Sequence, residues 1–343
     1  MRSVLVWLLG VSIGFVFERL GFGFSGAWRK FILQRDATGI TAQLVAIGLT
    51  AAIIQPIIAF APGNFVGAVA PVSLTMIISA FVFGSMMQII LGCGSGILIN
   101  AGSGNLVGLV ALPMVCFGSF IGTLLMPIAF EMTPHFVIDF GQLLGTAGSV
   151  MLTISGLVLL WLIMKQYSSG STISSRLVLA AVILAGLASL HVLIAGQPWG
   201  VVYGLGLWVA KILVAFGWDF TTASFWTHSV NAEALKSSVL TDVTSLTSIG
   251  LVFGAAIACW SDTGGQFVAE RVGPWFFICV IAAALLMGIS SRLAFGCNIG
   301  ALFSGIASGS FHGWVWLFAA FIGSNFGIQL RELIWTKTIG SRT

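Results

Sequence analysis

Charge is what this chain has least of. Ten acidic and 14 basic residues among 343 make 7%, against roughly a quarter in an average soluble domain. That scarcity excludes a soluble globular domain, and the sparse +4 balance excludes a nucleic-acid-binding face. Cysteine occurs five times, an odd count, as Cys93, Cys116, Cys259, Cys279 and Cys297 with no Cys-x-x-Cys spacing. A disulfide framework, a zinc site and a dithiol redox motif are thereby disfavoured. Neither an ATP-binding glycine loop nor a metal-ligand cluster nor a catalytic triad is legible, so the chain is read as a non-enzyme with no cofactor.

What remains is apolar. Hydrophobic residues make up 58% of the chain and its mean hydropathy is +1.08. The apolar runs are continuous and do not alternate, which predicts an all-α polytopic membrane protein and not a barrel. Ten segments approach spanning length: 4–17, 40–61, 70–91, 106–129, 140–164, 177–195, 201–216, 239–260, 275–290 and 313–328. Between them 21–31, 94–105, 221–235 and 298–311 are too polar or glycine-rich to span. They read as short re-entrant half-helices, two per half, with ordinary surface loops as the alternative.

Lysine and arginine set the orientation. Arg19, Arg29, Lys30 and Arg35 place the first loop in the cytoplasm and the N-terminus outside. The segments 62–67 and 131–139 carry no Lys or Arg and suit the outside. Lys165 and Arg176 flank an inner linker at 166–175, and Arg331, Lys337 and Arg342 draw the tail inside. An outside start and an inside end need an odd number of spans. Nine follow if 201–216, short and holding Lys211, is only a partial span.

The stretch that organises the chain is Leu293-Ala294-Phe295-Gly296-Cys297-Asn298-Ile299-Gly300, which echoes Ile90-Leu91-Gly92-Cys93-Gly94-Ser95-Gly96. The match extends outward: Gly84 pairs with Gly288 and Gln88 with Arg292, then, after a one-residue slip, Gly104 with Gly309, Gly108 with Gly313, Gly118 with Gly323 and Gly122 with Gly327. This is an internal pseudo-two-fold repeat within one transporter domain, 1–343, with halves of about 1–165 and 176–335. Nine spans make it inverted; ten would make it parallel.

Cys93 and Cys297 are the first candidates for chemistry, each led by a glycine, Gly92 or Gly296. Ser95 and Asn298 are available to cap a helix starting there. A thiol at a helix N-terminus sits in positive potential, which suits an anion with a soft sulfur atom. The alternative is cysteine as a small apolar filler. Arg292, beside an embedded motif, is a functional candidate or a snorkelling side chain. Lys211 and Asp242 are a possible pair, His191 and His228 read as structural, and His312 marks a span start.

At these residues the chain resembles the YeeE/YedE family of membrane proteins, associated with uptake of thiosulfate and related sulfur compounds. The resemblance rests on three blocks in order: Gly14–Arg19 running into Gly21-Phe22-Gly23-Phe24-Ser25-Gly26-Ala27-Trp28-Arg29, the block around Gly92-Cys93, and the block around Gly296-Cys297. The resemblance implies a multi-pass inner-membrane protein shaped as an hourglass, with a small sulfur-containing anion handed along cysteines by weak S–H···S contacts. It places two of the family's three cysteines on Cys93 and Cys297 and the first on Gly23, which has no thiol. Two thiols sufficing, Cys116 or Cys259 approaching the path, or a different sulfur, selenium or other anionic substrate are the open outcomes. The resemblance also implies a TusA-like sulfur-carrier protein as a cytoplasmic partner. A membrane thiol oxidoreductase is the rival from another class.

Overall fold

The computed structural model describes the backbone of residues 1–263 and 274–340 and the side chains of 1–261 and 275–334. Arg342 and the Lys337 side chain lie outside the described residues. The long helices are α1 (Arg2–Leu20), α3 (Thr38–Phe60), α4 (Leu74–Ile89), α6 (Leu106–Met132), α7 (Phe140–Tyr167), α8 (Ser175–Ala195), α12 (Val243–Thr263), α13 (Pro274–Leu293) and α15 (Phe311–Gly340). Among the described residues, nine helices are long and apolar enough to cross a membrane. The shorter elements are α2 (Ser25–Gln34), α5 (Gly94–Gly102), α9 (Val202–Ala215), α10 (Ser224–Thr227), α11 (Ser229–Lys236) and α14 (Ser304–Ala307), the last preceded by a π-helical turn at Asn298–Phe303.

Local chemistry sets the ends. Ser73, Asn105 and Asp139 cap α4, α6 and α7 by accepting from backbone N–H groups of the first turn. Gly21 and Gly196 close α1 and α8 in the left-handed conformation, φ 67° and 75°. In the loop between α2 and α3, the Thr38 hydroxyl and N–H donate to Asp36 and hold its carboxyl below the ordinary value.

Glycine lets the long helices touch backbone to backbone, since lipid tails give apolar helices little drive to associate otherwise. A Cβ on Gly84 of α4 would lie 2.0 Å from the Ala320 carbonyl of α15, and one on Gly323 would lie 2.0 Å from the Phe81 carbonyl. The same contact recurs with the halves exchanged: Gly288 of α13 meets the Val115 carbonyl of α6 at 2.4 Å, and Gly118 meets that of Leu285 at 2.1 Å. Gly122 and Gly327 repeat it against Ile289 and Ser85. These are the glycines that the sequence aligned.

The contacts also fix direction. Along α1 and α12, Gly250 meets Trp7 and Gly254 meets Val11, so the two helices run parallel. In α4 and α15, Phe81 meets Gly323 and Ser85 meets Gly327, again parallel. Parallel partners have an odd number of crossings between them, and between α1 and α12 these are α3, α4, α6, α7 and α8. A full crossing by α9 would turn α12 against α1, so α9 does not cross. Its 14 residues span about 21 Å at ~1.5 Å each, short of a hydrocarbon core of about 30 Å. With nine crossings, α4 and α13 are third and eighth and run in opposite directions.

Two expectations need correction. The segment 221–235 is not a half-helix: it carries α10 and α11, and α11 buries no residue. The half-helix of that region is α9, whose apolar run could not be told from a span by composition. Likewise, Ser95 and Asn298 do not cap. The capping positions are Cys93 and Cys297 themselves, without a capping side-chain bond.

Candidate functional site

Each cysteine is delivered by a strained turn. Leu91 and Phe295, two residues ahead of Cys93 and Cys297, hold positive φ of 54° and 59°, uncommon for residues with large side chains. Gly296 follows at φ 149°, where a Cβ would strike the Ala301 nitrogen at 2.6 Å. Such paired backbone outliers mark positions that the surrounding fold over-determines.

The turns bring the two thiols to one place. Cys93 and Cys297 are both buried. A Cβ added to Gly94 would sit 3.0 Å from the Cys297 sulfur and 3.9 Å from Val202 Cγ2. The first residues of α5, of α9 and of the π-helical turn therefore meet. The N–H groups of Ser95 and Gly96 face the Cys93 sulfur, and those of Ile299 and Gly300 face the Cys297 sulfur. Ser95 Oγ lies 3.3 Å from Cys93 Sγ. From this meeting point the half-helices lead away to opposite sides, because α5 joins the fourth crossing and α14 joins the ninth. Two positive helix ends converge where the polar backbone would otherwise be costly in lipid.

Asn298, next to Cys297, is fully buried, and neither its Oδ1 nor its Nδ2 has a partner. Gln88 is also buried. Its Nε2 donates to the Ser25 carbonyl at 3.1 Å and ties α4 to α2, while Oε1 stays unpartnered. Its sequence counterpart Arg292 ties α13 to α6 through Nε to Thr123 Oγ1 at 2.9 Å. The Arg292 guanidinium lies over Phe225 and Tyr203, 5.3 and 5.5 Å from the ring centres. Arg292 is thus held between α6, α9 and α10 and is not a free snorkelling chain.

Gly23 lies between Phe22 and Phe24 on a cavity of about 130 Å³ that Lys30 and Thr38 also line. Its carbonyl accepts from Gln43 Nε2 at 2.8 Å, and nothing lies within 4 Å of an added Cβ. Cys259 sits at the far end of α5 from Cys93, donating to the Ser103 carbonyl at 3.6 Å. Lys211 donates to the carbonyls of Leu235 and Ser237, and Asp242 accepts from Thr244 and Ser245. His191 is held on both ring nitrogens, by Gln197 and Thr247, in keeping with a structural role.

Sequence reasoning missed Val202 and the aromatic chain Phe22–Phe17–Trp199–Phe303, with ring centres 5.3, 6.0 and 5.9 Å apart. Gly196, echoing Gly21 after a span, was the available signal.

Nine apolar spans among the described residues, with half-helices meeting tip to tip from opposite sides, define a polytopic membrane protein with the architecture of a transporter. The family model for sulphur transport matches residues 19–326, and the chain belongs to that family. It is similar to the thiosulfate transporter TsuA of Spirochaeta thermophila, 26% identical over 338 residues, which cover 91% of this chain and 94% of that one. The probable transporter YedE is 31% identical over 156 residues in Salmonella typhimurium and in Escherichia coli, covering 45% of this chain and 37% of each relative.

Proposed function

We propose that this chain is an inner-membrane permease that takes up a small sulfur-containing anion, thiosulfate foremost, along a path past Cys93 and Cys297. The observation that carries the reading is that two buried thiols, delivered from opposite directions, stand at the tips of half-helices that touch through Gly94 and Cys297. The half-helices supply positive potential on both sides of the constriction, worth up to about 2 kcal/mol at a partly buried helix end. That alone does not offset the several kcal/mol of stripping water from an ion. The neutral thiols add contacts suited to the substrate's soft sulfur, and the unpartnered Asn298 amide is available to its oxygens. Arg292 attracts the anion from outside, and Lys30 beside Gly23 draws it toward the cytoplasm. The two halves act as an inverted repeat about this point, with α7 outside the repeat. No thiol is needed at Gly23 when the inner cavity is open and faces a lysine. A TusA-like sulfur carrier would receive the anion at the basic stretch Arg29–Arg35.

The test is uptake of sulfur-labelled thiosulfate in cells lacking other thiosulfate and sulfate importers. Wild type, Cys93→Ala, Cys297→Ala and Gly23→Cys are compared at equal membrane abundance. Uptake lost in both alanine variants supports the two-thiol path. Uptake indifferent to both removes it.

A further inference from the structure

A second polar cavity, of about 270 Å³, opens at the outer ends of α3 and α7, away from the thiols. Gln55 of α3, Gln142, Thr146 and Ser149 of α7, Ser308 after α14, and Asp139 supply its polar lining. Two of these groups are buried and unpartnered: Gln55 Oε1 and Ser149 Oγ. The Gln55 amide is oriented by its other end, where Nε2 donates to the Ala307 carbonyl at 3.2 Å and Thr153 Oγ1 at 3.3 Å. Gly309, at φ +76°, brings backbone against both groups, and a Cβ there would lie 2.6 Å from Ser149 Oγ. Leaving a buried acceptor unmade costs about 1–3 kcal/mol, so two in one cavity point to a missing donor or cation.

We propose that this cavity binds a hydrated monovalent cation, with Na⁺ as the fitting size, through Gln55 Oε1, Ser149 Oγ, Ser308 Oγ and the Asp139 carboxylate. The sign follows from the lining, whose one charged residue is acidic. The valence follows too, since divalent cations in protein cages take several carboxylates. At ~30 Å³ per water the volume leaves the ion part of its hydration shell, so binding is weak. Position gives the cation a consequence. Ser308 and Ala307 end the half-helix segment that begins at Asn298, so a cation here sits at its negative end, while the thiol contact lies at its positive end. Cation binding outside and anion binding at the centre would load the same segment in the same sense.

The experiment needs no thiosulfate and so stands or falls apart from the transport reading. Thermal unfolding of the purified protein in nanodiscs is followed against NaCl, with choline chloride keeping ionic strength constant. The expected result is a saturable rise in Tm with Na⁺. Its half-saturation should move roughly tenfold higher, about 1.4 kcal/mol, in Ser149→Ala and in Asp139→Asn; the latter keeps the cap on α7. Equal Tm in the two salts, or half-saturation unchanged in both variants, would overturn the cation site and leave a water-filled cavity.

Discussion

Gly94 and Cys297 are in such close contact that a single methyl group on Gly94 would lie 3.0 Å from the cysteine sulfur and 3.1 Å from its Cβ. These residues belong to different halves of the chain, and their contact joins the tips of the two half-helices. Gly94→Ala is compatible with the first turn of α5, so the Cys297 side chain is what must give way and passage is where the effect is read. Uptake is expected to drop at least tenfold with unchanged membrane abundance and size-exclusion profile. Uptake near the wild-type level would mean that the path runs elsewhere.

Asn298 stands where the first half has Gly94, and it is buried with both polar atoms idle. Asn298→Leu removes an unsatisfied group worth about 1–3 kcal/mol. The variant should unfold at a higher temperature and transport less. A side chain kept for packing would give the opposite pattern, with stability and uptake falling together. Differential scanning fluorimetry beside uptake separates the two.

Gly23 and Gly84 predict contrasting outcomes for glycine substitution. Nothing meets a Cβ on Gly23, so Gly23→Cys should fold normally, with its thiol labelled by an impermeant reagent from the cytoplasmic side through the open cavity. Gly84→Leu drives a side chain into the Ala320 carbonyl, where only movement of α15 can make room. Its monodisperse yield should collapse. Normal yield of Gly84→Leu would mean that the α4–α15 contact is looser than described.

What was legible in the sequence follows the same physics. Close helix contact tolerates only glycine, so Gly84, Gly118, Gly288 and Gly323 left their spacing in the chain and could be aligned before any fold was known. The cysteine motifs were legible because the strained turns at Leu91 and Phe295 are followed each time by the same glycine. Helix α9 was ambiguous because burial in protein and burial in lipid select the same apolar residues. Val202 and the outer cavity were not legible at all: their partners come from three or four elements, and no single stretch records the contact. The caps were misread since Ser95 and Asn298 are good capping types, yet the chain already turns at the cysteines.

The partial span α9 makes a topological prediction that one labelling experiment decides. If α8 ends outside and α9 only dips inward and returns its chain to that side, the segment with α10 and α11 faces the outside, where α12 begins. Were α9 a full crossing, that segment would face the cytoplasm, and α12 would have to run against α1. Val230 on α11 is 70% exposed and is far from the helix contacts that hold the bundle. Val230→Cys, in a background with the five native cysteines left in place, should react with an impermeant maleimide added to intact cells. The wild type gives the baseline, since Cys93 and Cys297 are buried. Labelling only after the membrane is opened would reverse α12, contradict the parallel contacts of Gly250 with Trp7 and Gly254 with Val11, and turn the two cysteine motifs to the same side.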